Sequence, residues 1–290
     1  MTRGALALCL CLACAFPAVA GEADAVKRGA YLAGAAGCAQ CHTDREHGGT
    51  PYAGGRRLFD IRYGTILTPN ITPDRKTGIG KWRHADFVRA MRWGVAPDDS
   101  HYLPVFPFPF YNRLTERDLA DLEAFIGSLA PVENPPSDTG KGLFLLARAR
   151  AAVAVAADGF PGPWRPDPAR GAAWNRGAYL VATVGRCGDC HTPRDWLGAP
   201  DETRLLAGTS HGRDGKKVPN LTPDPATGLG TWSEADILTL LETGQTPDFD
   251  FVGGGMGEIV EDTARLSDAD RRAIAVYLKS LRPVVSRKND

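Results

Sequence analysis

The chain has 290 residues, enough for two domains or one large one. Its 34 basic residues balance 34 acidic ones, which excludes a strongly basic chain built to coat nucleic acid. With 43% hydrophobic and 23% charged residues the composition is globular, and 33 glycines with 22 prolines predict short helices, much loop and no long coiled coil.

Residues 1–20 read as an export signal. Arg3 is its charged region, Ala5 to Phe16 is an apolar stretch too short to span a bilayer, and Ala18-Val19-Ala20 is a small-residue cleavage site before Gly21. A buried helix or an uncleaved anchor is the rival reading. Cys14, after Leu12-Ala13, also stands like a lipoprotein site, although Cys11 is poor where such sites want an aliphatic residue. No later segment predicts a transmembrane helix. The best, Leu143 to Ala157, is short and carries Arg148 and Arg150, and residues 286–290 form a polar tail. The expectation is a periplasmic protein, soluble or peripheral to a membrane.

The seven cysteines are Cys9, Cys11, Cys14, Cys38, Cys41, Cys187 and Cys190, and the first three leave with the signal. The rest form two copies of one motif, Cys38-Ala39-Gln40-Cys41-His42 and Cys187-Gly188-Asp189-Cys190-His191. This is the attachment signature of c-type haem: two thiols reach the two vinyl groups, and the adjacent histidine falls beneath the iron. Zinc would leave each following histidine unexplained. Two disulfides are permitted by export. A redox dithiol belongs in a βαβ context that is absent here.

The two motifs sit in a repeat. Arg28-Gly29-Ala30-Tyr31-Leu32 returns as Arg176-Gly177-Ala178-Tyr179-Leu180, and Pro69-Asn70-Ile71-Thr72-Pro73-Asp74 as Pro219-Asn220-Leu221-Thr222-Pro223-Asp224. Each of the latter runs on to Thr-Gly-x-Gly-x-Trp, ending at Trp82 and Trp232. Phe87, Ala90 and Met91 match Ile237, Leu240 and Leu241 at helical spacing. Ser233 with Asp236 predicts a capping box, and Thr115 to Asp118 and Ser267 to Asp270 open two further helices with the same pattern. Their apolar stripes are Leu122, Phe125, Ile126, Leu129 and Ile274, Tyr277, Leu278, Leu281. No strand alternation is clear. The prediction is an all-α protein with two tandem cytochrome c-like helical domains, 21–131 and 174–285, each wrapped round one haem. A linker over 132–173 packs across their junction.

Each iron has a sixth position, where Met or His makes an electron carrier and an empty site allows ligand or peroxide chemistry. Met1 leaves with the signal, and Met91 lies on a core stripe. That leaves Met256, in Gly253-Gly254-Gly255-Met256-Gly257, as distal ligand of the second haem. Met256 is twelve residues beyond Gly244, and twelve beyond the matching Gly94 is Phe106, which cannot ligate. The same loop carries His101. The alternatives there are a bis-histidine first haem through His42 and His101, a solvated His101, or an open first haem. His47, His84 and His211 stand in polar contexts. The Asn70 and Asn220 loops, with Trp82 and Trp232, have two readings: packing and propionate contacts to haem, or good turn chemistry.

These motifs make the chain similar to the multihaem cytochrome c subunits of periplasmic alcohol, gluconate and nicotinate-type dehydrogenases. The resemblance runs over most of the chain after the signal and includes Trp174-Asn175 before the second repeat. Many relatives have Pro-Ala-Met-Pro where this chain has Pro104-Val105-Phe106-Pro107, and some share the phenylalanine and a histidine five residues before it. Many also carry a third haem domain and a C-terminal anchor, neither of which is expected here. The resemblance implies two haem c groups, a dehydrogenase as electron donor, and a cytochrome, oxidase or other redox protein as acceptor. A dihaem peroxidase or oxidase, or a ligand sensor with Phe106 over a five-coordinate first iron, are the competing classes.

Overall fold

A computed structural model describes residues 18–60, 64–103, 105–135, 153, 161–194, 200–212 and 215–287. The proposed signal up to Pro17 and all but Val153 of the Leu143–Ala157 segment lie outside them.

The first half contains α1 (Ala18–Ala35), the short α2 (Cys38–Cys41), β1 (Arg57–Asp60), β2 (Gly64–Leu67), α3 (His84–Trp93), the single turn α4 (Phe108–Tyr111) and α5 (Glu116–Gly127). The second half contains α6 (Ala172–Tyr179), which continues as a wide π turn over Leu180–Val184, then α7 (Gly188–His191), α8 (Glu234–Thr243), α9 (Gly254–Thr263) and α10 (Asp268–Lys279). The architecture is mostly helical, as expected. The difference is β1 and β2, an antiparallel hairpin pairing Arg57 with Leu67 and Asp60 with Gly64. Strands of four residues are too short to display a period, so the hairpin left no trace in the pattern.

Within each half the first and last helices cross, α1 on α5 and α6 on α10. The repeated Arg-Gly-Ala-Tyr-Leu segment supplies the contact. A Cβ at Gly29 would lie 1.9 Å from Asp121 O, and one at Gly177 the same distance from Ala273 O. Only glycine lets the two backbones meet this closely. Arg28 then pairs with Asp121 at 2.6 Å, and Arg176 with Asp270 at 2.7 Å. The predicted stripes are inside: Phe87, Ala90, Leu122, Ile126, Ile237, Leu240, Leu241, Ile274, Tyr277 and Leu278 are buried, and Met91 packs on the core edge. All three caps form, but of the three only Ser233 completes the reciprocal box with its Asp; the Thr115 and Ser267 amides turn to tyrosines instead. Thr115, Ser233 and Ser267 side chains accept the amides of Asp118, Asp236 and Asp270.

The halves dock through a reciprocal contact. Tyr31 Oη accepts from Ser267 N at 3.0 Å and donates to Asp270 at 2.7 Å. Its repeat partner Tyr179 accepts from Thr115 N at 3.3 Å and donates to Asp118. Each tyrosine thus seals the helix N-terminus of the other half, the relation expected of a pseudo-twofold axis. The end of the linker joins both halves: Trp164 N donates to Arg113 O at 2.8 Å, and the Trp164 ring lies 5.9 Å from that of Tyr179.

Candidate haem sites

Each Cys-x-x-Cys-His motif occupies a tight turn. Cys38 and Cys41 bound α2, and Cys187 caps α7, which carries Cys190 and His191. None of the four thiols is in a disulfide. Among the described residues no three His, Cys, Asp or Glu side chains converge to hold a metal ion, so the two thiol pairs do not form one zinc cluster. Burial pushes Cys38 up to about 12 and Cys187 up to about 11. A redox dithiol needs the opposite, a stabilised thiolate.

The histidines are aimed by a device that occurs twice. His42 Nδ1 donates to Pro69 O at 2.8 Å, and His191 Nδ1 to Pro219 O at 2.7 Å. Donation from Nδ1 fixes the tautomer and leaves Nε2 with its lone pair free for iron, the usual arrangement around a ligating imidazole. Burial holds both rings below the ordinary histidine range, so they stay neutral. The histidine carbonyls are held as well: Gly54 N donates to His42 O at 2.8 Å and Gly208 N to His191 O at 2.7 Å. Both glycines have positive φ, 77° and 78°. A Cβ at Gly54 would lie 2.5 Å from the Pro69 carbonyl carbon, and one at Gly208 2.8 Å from that of Pro219.

The asparagine loops are built to hold those carbonyls. Asn70 Oδ1 accepts from Thr72 N at 2.9 Å, while Nδ2 donates to Thr77 Oγ1 and to Val132 O. Asn220 repeats this with Thr222, Thr227 and Val284. Both ends of each amide are committed inside the protein. Asp74 and Asp224 brace the same loops. Their carboxylates are held below the usual range by hydrogen bonds from Thr77 and Thr227. Trp82 and Trp232 stand half-buried beside the core, and among the described residues neither indole N–H has a partner.

The loops after α3 and α8 fold alike. Gly94 and Gly244 end the helices with positive φ; Tyr102 N donates to Gly94 O, and Val252 N to Gly244 O. Val95 bridges His101 as Gln245 bridges Phe251. His101 is half-buried, and its Nδ1 is a buried nitrogen with no partner. Phe106 is packed edge-on against Tyr102 and Tyr111, with ring centroids at 5.7 and 5.8 Å. Met256 is half-buried in the first turn of α9. His47 bonds Asp44 and His84 bonds Glu123, both at exposed positions, and His211 bonds Ser210.

A neutral imidazole with a bare Nε2 in the same turn as two cysteines outside any disulfide, present twice, fits covalently bound haem. The cytochrome c family model matches residues 26–130 and 174–282. The chain belongs to the cytochrome c family. A diheme cytochrome c-type protein of Cereibacter sphaeroides is 39% identical, over 91% of this chain and 87% of its own length. The cytochrome c subunit of gluconate 2-dehydrogenase from Pantoea cypripedii is 40% identical, and that of fructose dehydrogenase from Gluconobacter japonicus 37%. Each covers 88% of this chain, which spans only 59% and 52% of their lengths. Among the described residues no helix is long and apolar enough to cross a membrane.

Sequence reasoning missed Gly54, Gly208 and the Pro69 and Pro219 carbonyls. The signal for the glycines was Ala53-Gly54 against Ala207-Gly208, displaced by the extra residues between motif and glycine in the second half.

Proposed function

We propose that this cytochrome is an exported dihaem electron carrier, taking electrons from a dehydrogenase and passing them to a cytochrome, oxidase or other redox protein. The duplicated imidazole–carbonyl arrangement carries the reading. Cys38 and Cys41 hold one haem, Cys187 and Cys190 the other, with His42 and His191 as proximal ligands. Bound haem supplies a reversible one-electron couple; the chain supplies fixed ligands and little rearrangement between oxidation states. Met256 is the distal ligand of the second haem, and His101, with its unpartnered Nδ1, that of the first. Trp82 and Trp232 offer their free N–H groups to propionates. The relatives printed as dehydrogenase subunits support the donor class, and residues 1–20 support periplasmic export.

Haem quantification of the exported protein tests this. Two haems per chain and two reversible one-electron waves are expected; one haem or none, or irreversible reduction, would overturn it. Phe106, standing where the second half has Met256, favours one rival: an open first haem with peroxidase, oxidase or sensor chemistry. Carbon monoxide binding to the reduced wild-type protein would favour that rival.

A further inference from the structure

Helix α9 of the second half lies on the first haem-binding turn. Gln40 Nε2 donates to Glu258 O and to Glu261, both at 3.1 Å, and reaches Asp262 Oδ1 at 3.4 Å. Arg45 pairs with Glu261 at 2.8 Å and Arg56 with Glu258 at 2.6 Å. Under these pairs sits Asp262, only 3% exposed, with Gln40 at 4%.

This buried site is short of a donor. Asp262 Oδ2 and Gln40 Oε1 are both buried acceptors without a partner. An unmet buried acceptor is costly, and an ionised one more so. Neighbouring Arg186 does not answer Asp262: it gives its hydrogen bonds to Tyr111 Oη and Ala36 O, both at 3.2 Å. Asp262 Oδ2 instead faces the backbone of Gly37, where a Cβ would lie 2.6 Å away. Gly37 directly precedes Cys38, the first haem-attachment thiol.

We infer that Asp262 is a redox-linked proton acceptor, binding one proton at Oδ2 when the first haem takes an electron and releasing it when that electron leaves. The inference rests on the dihaem reading above. The electron comes from the donor dehydrogenase and reduces ferric iron to ferrous. The proton comes from water, and Asp262 passes from carboxylate to carboxylic acid, so charge balances. The electron removes one positive charge beside a buried carboxylate, and protonation removes the resulting excess of negative charge.

Access and surroundings agree. Asp262 lines a cavity of about 220 Å³ with Tyr31, Tyr52 and Arg265, giving water a route. The cations that favour its ionised form are Arg265 on its own segment, Arg186 before the second motif and Arg45 from the turn after the first. Glu261 lies on the same helix and is answered by Arg45 and Gln40, Tyr52 is held protonated by burial, and Cys38, a thioether in the dihaem reading, carries no proton. Burial outweighs the three arginines and pushes Asp262 up to about 6, so it is poised to change state near neutral pH.

The test is a redox titration of the two-haem protein between about pH 5 and pH 8, with Asp262→Asn alongside. A one-electron potential coupled to one proton falls by at most about 59 mV per pH unit, the equivalent of a tenfold change in equilibrium. Wild type should show such a falling slope in the first wave. Asp262→Asn should flatten it and sit at the wild-type low-pH value. A slope surviving in the variant, as from a propionate, would overturn the inference, as would a flat wild-type wave. Should the variant fail to fold, reduced-minus-oxidised infrared spectra of wild type decide: a carboxylic C=O band must appear on reduction, and its absence refutes the role. Two reversible waves with neither slope nor band would sink this inference and leave the dihaem reading intact.

Discussion

Gly54→Ala should disturb the first haem site selectively. Gly54 has φ 77°, and its missing Cβ would stand 2.5 Å from the Pro69 carbonyl carbon and 2.6 Å from Pro69 O and Asn70 N. A side chain in the left-handed region costs about 1–2 kcal/mol. Forcing a methyl against backbone adds about 1–3 kcal/mol. The sum is roughly 2–5 kcal/mol, and the group that must move is the carbonyl that orients His42. Gly64→Ala is the control: its φ is 76°, but nothing lies within 4 Å of the added carbon, so only the first cost applies. Denaturant unfolding of the haem-loaded proteins measures stability, and a redox titration reads the site. Gly54→Ala should unfold at clearly lower denaturant than Gly64→Ala and shift the first wave while leaving the second. Equal midpoints with both waves unmoved would refute the coupling of glycine, carbonyl and imidazole.

Replacing Cys187 and Cys190 with Ala should leave one covalent haem, read by intact mass; loss of both or neither contradicts independent attachment. Met256→His should lower the potential of one wave, because thioether ligation favours ferrous iron relative to imidazole; two unmoved waves would remove Met256 from the site. His101→Ala should convert one ferric haem from low spin to high spin with new carbon monoxide binding, and an unchanged spectrum would point to another ligand. Tyr31→Phe deletes a bond to the Asp270 carboxylate and strips Ser267 N of its partner, costing about 1.5–3 kcal/mol of stability. A loss much below 1 kcal/mol would mean the docking does not depend on this hydroxyl.

The haem motifs, the doubling, the caps and the core stripes were legible because each is a local pattern: two thiols and a histidine in five residues, or apolar residues at helical spacing. What stayed hidden is carried by backbone or by long range. Pro69 acts through its carbonyl, which every residue has, so only its recurrence as Pro219 hinted at a role. Gly54 and Gly208 fell out of register because the segment between motif and glycine differs in length. Asn70 fitted haem packing or a turn by residue type, and the resemblance favoured haem packing. No local pattern announced its four hydrogen bonds within the protein, which reach residues up to 62 positions away. Asp262 meets Gln40 across 222 positions, and no periodicity reports such a pair.

The divergence between the halves is concentrated where they touch. Gly37 has φ 65°, and its repeat counterpart Arg186 holds a similar left-handed φ of 45° with a full side chain. Such a conformation is uphill for arginine and persists only where surroundings repay it. Here Arg186 reaches across the junction to Ala36 O and Tyr111 Oη, in the segments before the first motif and below Phe106. Contacts also run the other way: α9, which begins at the Met256 turn, locks onto α2, while Phe110 of α4 lies 3.4 Å from where a Gly188 Cβ would be. Each half therefore sets the helix that follows its distal loop against the other half's attachment turn. In the dihaem reading, residues of both halves therefore border each attachment turn, and a substitution in the second half, such as Asp262→Asn, acts on the haem of the first.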